Sequence, residues 1–346
     1  MELSLCFMGL GSVGRELIQL IDRKRDEVLA RYDLTFKIIG IATGKHGIVF
    51  DSAGIDHADA LNGLRIEQVW PSTEENRLKL IRDCAAVSAA AHADGALVEM
   101  SPINRATGRP ALDYMELALN LGMHAISANK GPIVHGYRQL RDLAKKQGKA
   151  CLFEATVMDG FPLLNLYREC LPATRVTGFR GVLNSTTNLV LTLMEEGKSF
   201  DEAVRHAQDI GIAETDPGND IDGWDSSVKV CVLSNVLMGA DIRPTDVDRT
   251  GIRAITLDMI KAAQLARRKW RLMCTAEWVD DRLVAKVAPE EVPANDPMFR
   301  LYGTTSAIQI RTDTLNQLTL IETAPTPAQT AFGVLADLIA AARGHY

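Results

Sequence analysis

Leu3-Ser4-Leu5-Cys6-Phe7-Met8-Gly9-Leu10-Gly11-Ser12-Val13-Gly14-Arg15-Glu16-Leu17-Ile18-Gln19-Leu20-Ile21 is the stretch on which the fold of this chain turns. Leu3 to Met8 is a short apolar run, Gly9 to Gly14 has the spacing Gly-x-Gly-x-x-Gly, and Leu17, Ile18, Leu20 and Ile21 recur as one face of a helix. Strand, tight turn and helix in that order let a backbone approach a pyrophosphate, whose charge the N–H groups of the helix start can hold. The glycine pattern alone matches many loops. Its place between a strand and a helix makes dinucleotide binding the favoured reading, with Gly9, Leu10, Gly11, Ser12, Val13 and Gly14 as coenzyme contacts.

Further along, the pattern repeats as in a doubly wound sheet. Lys37 to Ala42 reads as a second strand ending at Thr43-Gly44-Lys45-His46. An acid there would hold a ribose 2'-hydroxyl; small residues and the cation Lys45 leave room for a 2'-phosphate, so NADP is preferred over NAD. A helix-like region from Thr73 to Ala91 leads to a strand at Ala96 to Met100, and a helix from Ala111 to Leu121 leads to a strand at His124 to Ser127. The turns after these strands put Ser101, Asn129 and Lys130 at the ligand end of the sheet, although for Lys130 a plain surface cation is about as common. A helix from Tyr137 to Lys146 and a strand from Ala150 to Phe153 complete a nucleotide-binding half, residues 1–153, and Glu154 to Pro162 is read as the hinge.

The chain has 346 residues, enough for two cored domains, with 47% hydrophobic and 24% charged residues. A net charge of -6 without a dense Lys/Arg block excludes nucleic acid and membrane surfaces as expected partners. The basic cluster Arg267, Arg268, Lys269 and Arg271 reads as a solvated helix face. Six scattered cysteines without a Cys-x-x-Cys pair read as reduced, mostly buried thiols. No apolar run approaches the ~18 residues that span a bilayer, and the sequence opens directly into a strand, so a cytoplasmic location is expected.

The second half is organised around residues 184–229. Asn184-Ser185-Thr186-Thr187-Asn188 opens a helix-like segment, and five carboxylates, Glu214, Asp216, Asp220, Asp222 and Asp225, precede Lys229. This reads as an acidic pocket with one cation. A helix starting near Asp222 would place Asp225 and Lys229 one turn apart on one face. An isolated Asp-x-x-x-Lys is usually a surface pair worth less than about 1 kcal/mol. Here Lys229 lies in an apolar run, Val228 to Leu233, where an ammonium needs a partner or a task. Strand-like Val176 to Leu183 precedes this stretch and a further helix from Ser234 follows it. Met273 to Trp278, Leu283 to Val287, Ala307 to Arg311 and Leu318 to Ile321 alternate as strands of an antiparallel or mixed sheet. Pro327 to Ala342 reads as an apolar-faced helix.

With these pieces in place the chain resembles the homoserine dehydrogenase family along nearly its whole length. The resemblance is carried by the glycine turn, Ala128-Asn129-Lys130-Gly131-Pro132, Glu154-Ala155-Thr156-Val157, Leu183 to Asn188, and the block from Ala213 to Lys229. It implies an α/β fold with an N-terminal Rossmann domain, an α+β catalytic and dimerisation domain over 154–323, and a C-terminal helix within 324–346 returning to the first. It implies reversible hydride transfer between L-homoserine and L-aspartate 4-semialdehyde, in the biosynthesis of threonine and methionine. Lys229 would be the acid/base with Asp225 beside it; Glu214, Asp220 and Thr186 would hold the amino-acid end, with Lys130 near substrate and coenzyme. Glu154, Val157, Asp159 and Phe161 would frame a monovalent cation site, for instance for Na+, built largely of carbonyls. A homodimer through the second-domain sheet is implied as well. The chain matches the short members, without an aspartokinase or an ACT-type domain, so threonine inhibition through such a domain is not expected.

The chemistry stands beside the resemblance. Oxidising an alcohol needs a hydride acceptor, which a nicotinamide supplies, and a group to take the hydroxyl proton, a role open to a lysine. Burial would lower the pKa of such a lysine and a neighbouring aspartate would raise it. Three departures bear on the substrate: Met158-Asp159 where relatives carry small residues, Ser185 where they carry glycine, and Ala324-Pro325-Thr326-Pro327 in place of a glycine-rich turn. Ser185 and Met158-Asp159 motivate one rival, a related dehydrogenase acting on another hydroxy or amino substrate; a rival of another class is a non-catalytic NADP-binding sensor.

Overall fold

The computed structural model describes residues 1–62 and 69–346. The chain forms two compact units, residues 1–170 with 326–346, and residues 171–325. The division at 170/171 lies beyond the sequence-derived boundary at 153/154, and the segment read as a hinge falls within the first unit.

The first unit holds strands β1 (Glu2–Met8), β2 (Thr35–Ala42), β3 (Ile48–Phe50), β4 (Asp94–Glu99), β5 (His124–Ser127) and β6 (Cys151–Leu152). Their order is β3-β2-β1-β4-β5-β6, parallel except for β3, which returns antiparallel against β2. This is the Rossmann arrangement. Leu3 to Met8 are all buried, as expected of a parallel strand covered on both faces. Helix Ser12–Tyr32 sets Leu17, Ile18, Ile21 and Val28 into this core, and helix Pro327–Ala342 adds Val334, Leu335 and Leu338. The last helix therefore belongs to the nucleotide unit. Gly160 and Gly333 permit its close approach, since a Cβ on Gly160 would stand 1.8 Å from the Gln329 carbonyl oxygen.

The second unit holds β7 (Val176–Val182), β8 (Asp248–Arg249), β9 (Arg268–Val279), β10 (Arg282–Pro293), β11 (Ser306–Thr312) and β12 (Gln317–Glu322). Their order is β12-β11-β7-β9-β10-β8, a mixed sheet in which only the β10–β8 pair is parallel. Helices Ser185–Glu195, Trp224–Leu237 and Leu257–Leu265 pack on β9, the second also on β10. Among the described residues no helix is long and apolar enough to cross a membrane.

Three sequence expectations are corrected. In the basic cluster Arg268, Lys269 and Arg271 head strand β9 and Arg267 sits in the turn before it, so the cluster is no helix face. Arg271 is 0% exposed and bonds the Glu195 carboxylate at 2.6 Å and the Leu301 carbonyl at 2.7 Å, and Lys269 reaches the same Glu195 at 2.9 Å. Helix Lys130–Gln147 starts seven residues before Tyr137, because the Asn129 side chain caps the Gly131 N–H at 2.9 Å and Pro132 is tolerated in a first turn. Ser234 opens no helix of its own, but lies inside Trp224–Leu237. The six cysteines are free thiols, with Cys170 exposed and Cys151 half-buried rather than in the core.

Candidate active site

In the first unit the glycine turn has the geometry of an anion cradle. Gly9 has φ +103°, and a Cβ there would meet the Met100 carbonyl oxygen at 2.6 Å, so β1 and β4 approach each other as only glycine allows. Gly11 is the N-cap of helix Ser12–Tyr32 without a capping side chain, and the position its Cβ would take is open for 4 Å. The first turn carries no acid. Leu10, Ser12 and Val13 continue this exposed or half-exposed helix start, and Gly14 seats it against the Gly9 carbonyl. These residues fit a pyrophosphate. At the end of β2 the Thr43 N–H and hydroxyl both bond the Gly47 carbonyl, at 2.9 and 3.2 Å, closing a tight turn with Lys45 exposed on it. Ser72 donates to the Thr43 carbonyl at 2.5 Å and Arg77 donates to Ser72 at 2.9 Å, so this turn is braced from behind.

The end of β4 is tied to the end of β5. Ser101 donates its N–H to Glu99 Oε1 at 2.8 Å and its hydroxyl to the same oxygen, while the Asn129 amide bonds the Ser101 carbonyl at 3.1 Å. Lys130, half-buried, is the first residue of the helix that Asn129 caps. Glu99 holds this corner together, and sequence reasoning missed it. The only signal was a carboxylate closing an otherwise apolar strand.

In the second unit four side chains converge. Asn184 ends the chain's exit from β7 and caps helix Ser185–Glu195, its oxygen accepting the Thr187 N–H at 2.9 Å. Its amide nitrogen donates to Asp220 Oδ1 at 2.7 Å and to Asp225 Oδ2 at 3.1 Å. Lys229 lies 3.5 Å from that Asp225 oxygen and donates to the Leu183 carbonyl at 2.6 Å. Gly223, at φ +79°, caps Trp224–Leu237 and sets Asp225 and Lys229 one turn apart. Both side chains are mostly buried, at 16% and 14% exposure, so the pair is no solvated surface bridge. Burial raises the pKa of Asp220, the charge of Asp225 raises it further, and the Asn184 amide, Lys229 and the Thr186 hydroxyl oppose the shift. Thr186 also donates to the Ile212 carbonyl at 3.3 Å.

The rest of the acidic stretch disperses. Glu214 is exposed, and the hydrogen bond it makes is through its carbonyl, to Gln208 at 3.1 Å. Asp216 accepts the Gly218 N–H at 3.0 Å. Asp222 pairs with Arg253 at 2.5 Å, which holds its carboxyl below the usual range, and its carbonyl accepts from Arg249. The reading of five carboxylates about one cation is therefore corrected to two carboxylates, an asparagine and a lysine, with arginines serving the rim.

The loop from Glu154 to Phe161 is part of the first unit. The two Glu154 oxygens accept the Leu164 and Asn165 N–H groups at 2.8 and 2.6 Å, Asp159 accepts the Thr330 hydroxyl at 2.7 Å, and the Phe161 carbonyl accepts the Leu163 N–H at 2.7 Å. Val157 is buried beside them. Both carboxylates are thus engaged with protein donors. Among the described residues no group of three or more His, Cys, Asp or Glu side chains is placed to hold a metal ion.

Comparison with known proteins agrees in sequence and in structure. The family profile described as homoserine dehydrogenase matches residues 162–339. The NAD(+)-dependent homoserine dehydrogenase of Pseudomonas canavaninivorans is 32% identical over 98% of this chain and 96% of its own. The homoserine dehydrogenase of Methanocaldococcus jannaschii is 31% identical over 97% and 98%. A solved structure, the putative homoserine dehydrogenase of Archaeoglobus fulgidus, superposes with a TM-score of 0.83 at 26% identity over 98% of both chains. The motif order, the two sheets and these matches together establish that the chain belongs to the homoserine dehydrogenase family.

Proposed function

We propose that this protein is a nicotinamide-dependent homoserine dehydrogenase interconverting L-homoserine and L-aspartate 4-semialdehyde. The observation that carries the reading is the set Asn184, Asp220, Asp225 and Lys229, which puts one ammonium among acceptors of fixed position. When bound, the nicotinamide would supply or accept the hydride. Lys229, as the neutral amine, would take the hydroxyl proton during oxidation and, as the ammonium, return it to the developing alkoxide during reduction, with Asp225 keeping the ammonium aligned. Asp220 and Thr186 would receive the substrate's ammonium. Glu214, exposed in this structure, is proposed for the same end of the substrate and Lys130 for its contact with substrate and coenzyme.

The coenzyme would lie on Gly9 to Gly14, with Ser101 and Lys130 at its nicotinamide end. The turn Thr43-Gly44-Lys45-His46, which has no acid, supports a preference for NADP, with Lys45 facing the 2'-phosphate. The relative from Pseudomonas canavaninivorans bears the name NAD(+)-dependent, which makes the comparison of the two coenzymes decisive. A monovalent ion on the 154–161 loop would rest on main-chain carbonyls, since Glu154 and Asp159 are engaged with protein donors, and no step is derived from it. A homodimer through the second sheet completes the proposal, to be checked by sedimentation.

The test is turnover of L-aspartate 4-semialdehyde with NADPH and with NADH, beside a panel of other aldehydes. Higher kcat/KM on the semialdehyde with NADPH is expected. Higher kcat/KM on another aldehyde would replace the substrate, and higher kcat/KM with NADH would replace the coenzyme. Coenzyme binding without turnover of any substrate would make the protein a sensor.

A further inference from the structure

Glu99 ends β4 where the strand order of the first sheet reverses. Met8 of β1 pairs with it, and the turn at Gly9 abuts the next residue, Met100. Ligands of such sheets bind outside the carboxyl ends of the strands at this reversal. A carboxylate is costly there, because Ala96, Leu97 and Val98 before it are wholly buried and Glu99 itself is 0% exposed. Its Oε1 accepts the Ser101 N–H, the Ser101 hydroxyl and, at 3.4 Å, the Asn129 amide. Its Oε2 is buried without a hydrogen-bond partner among the described residues. Burial pushes the carboxyl up to about 7 against those bonds and against the charge of Arg77. Titratable groups on the elements around it include Arg77 and Glu74 on helix Glu74–Ala90, Tyr114 on helix Ala111–Asn120, where its hydroxyl bonds Glu74, Lys130 at the head of Lys130–Gln147, His124 on β5 and Asp337 on helix Pro327–Ala342, both of which also pack against β4.

We infer that Glu99 responds to the charge of the coenzyme crevice, giving up more of its proton to solvent when a cationic oxidised nicotinamide ring binds than when the neutral reduced ring does. The inference rests on the coenzyme reading above. A cation at the carboxyl end of β4 favours the ionised form of a carboxyl beneath it, and the neutral reduced ring does not. By linkage, the oxidised coenzyme then binds more tightly as the carboxyl ionises, while both coenzyme forms share the same phosphate charges. Ser101 and Asn129, fixed to Oε1, pass the change to the strand ends and to the helix that begins with Lys130. Glu99 is a positioning residue in this scheme.

Calorimetric titration of the full chain near pH 7, in two buffers of different ionisation enthalpy, counts the protons released per coenzyme bound. The wild type is expected to release more of a proton with the oxidised coenzyme than with the reduced one. Glu99→Gln should abolish that difference and shift the ratio of the two dissociation constants by about tenfold, the equivalent of one pKa unit. Should that variant fail to fold, Ser101→Ala keeps the carboxyl, removes a bond that favours its ionised form, and should move the midpoint of proton release to higher pH. Equal proton counts for the two coenzyme forms in the wild type, or an unchanged count in Glu99→Gln, would overturn the inference and leave the coenzyme reading standing. Failure of either coenzyme to bind would remove both.

Discussion

Asn184 caps a helix with its oxygen and joins Asp220 to Asp225 with its nitrogen. The two tasks separate by substitution. Asn184→Ser keeps an N-cap and loses the reach to the carboxylates; Asn184→Ala loses both, at about 0.5–2 kcal/mol for the cap. The serine variant is expected to melt within a few degrees of the wild type while kcat/KM falls about 10²-fold, the scale of a lost preorganising donor. Unchanged kinetics in that variant would confine Asn184 to capping. The sequence exposed half of this residue. An asparagine before a helix-like run is legible as a cap, whereas the bond to Asp220, 36 positions away, is set by tertiary packing. Asp225 and Lys229 were legible together because i,i+4 spacing is a local property. Glu214 was not, because nothing local fixes the direction of a side chain on a loop.

At the scale of elements, the glycine turn was readable because its constraint is written into the residue type. Gly9→Ala places a Cβ against the Met100 carbonyl at a positive φ, strain of about 1–3 kcal/mol. The expected outcome is a lower melting temperature with coenzyme affinity reduced at least tenfold, measured by fluorescence titration. The head of β9 was misread because four basic residues in five positions mask a strand's alternation, and the buried partner of Arg271, Glu195, lies 76 residues away. The return of the last helix to the first unit was implied by the family resemblance, but not the bond that ties it there. Asp337, 1% exposed, accepts the Glu154 N–H at 2.7 Å. Burial, and then the charge of Glu154, push its carboxyl up to about 7. An unfolded aspartate titrates near 3.9, so between roughly pH 4 and 7 the folded state binds more protons than the unfolded one. The stability that Asp337 contributes is therefore expected to be greatest at the acid end of that window, to fall as pH rises through it, and to level off above about 7. Asp337→Asn should flatten the decline in melting temperature across that window, followed by scanning calorimetry. An unaltered slope would place the proton elsewhere.

For the whole molecule, the sequence carried the class of each unit and the identity of the family, because local patterns and motif order survive at 31–32% identity to relatives over nearly the full length. It carried the division near 325/326 to within two residues, but not that at 170/171, which depends on which residues pack together. Nor did it reveal Glu99, whose meaning comes from β1 and β5 on either side. The proposed activity gives each unit one task, coenzyme binding for the first and acid/base chemistry for the second, so a change in one should leave the other measurable. The most direct test is the Lys229→Ala variant, assayed for reduction of L-aspartate 4-semialdehyde and, separately, for coenzyme binding. The acid/base role of Lys229 requires that turnover fall by at least about 10²-fold, the scale of a lost general acid, while the coenzyme dissociation constant stays within about twofold. Turnover near the wild-type rate would contradict it.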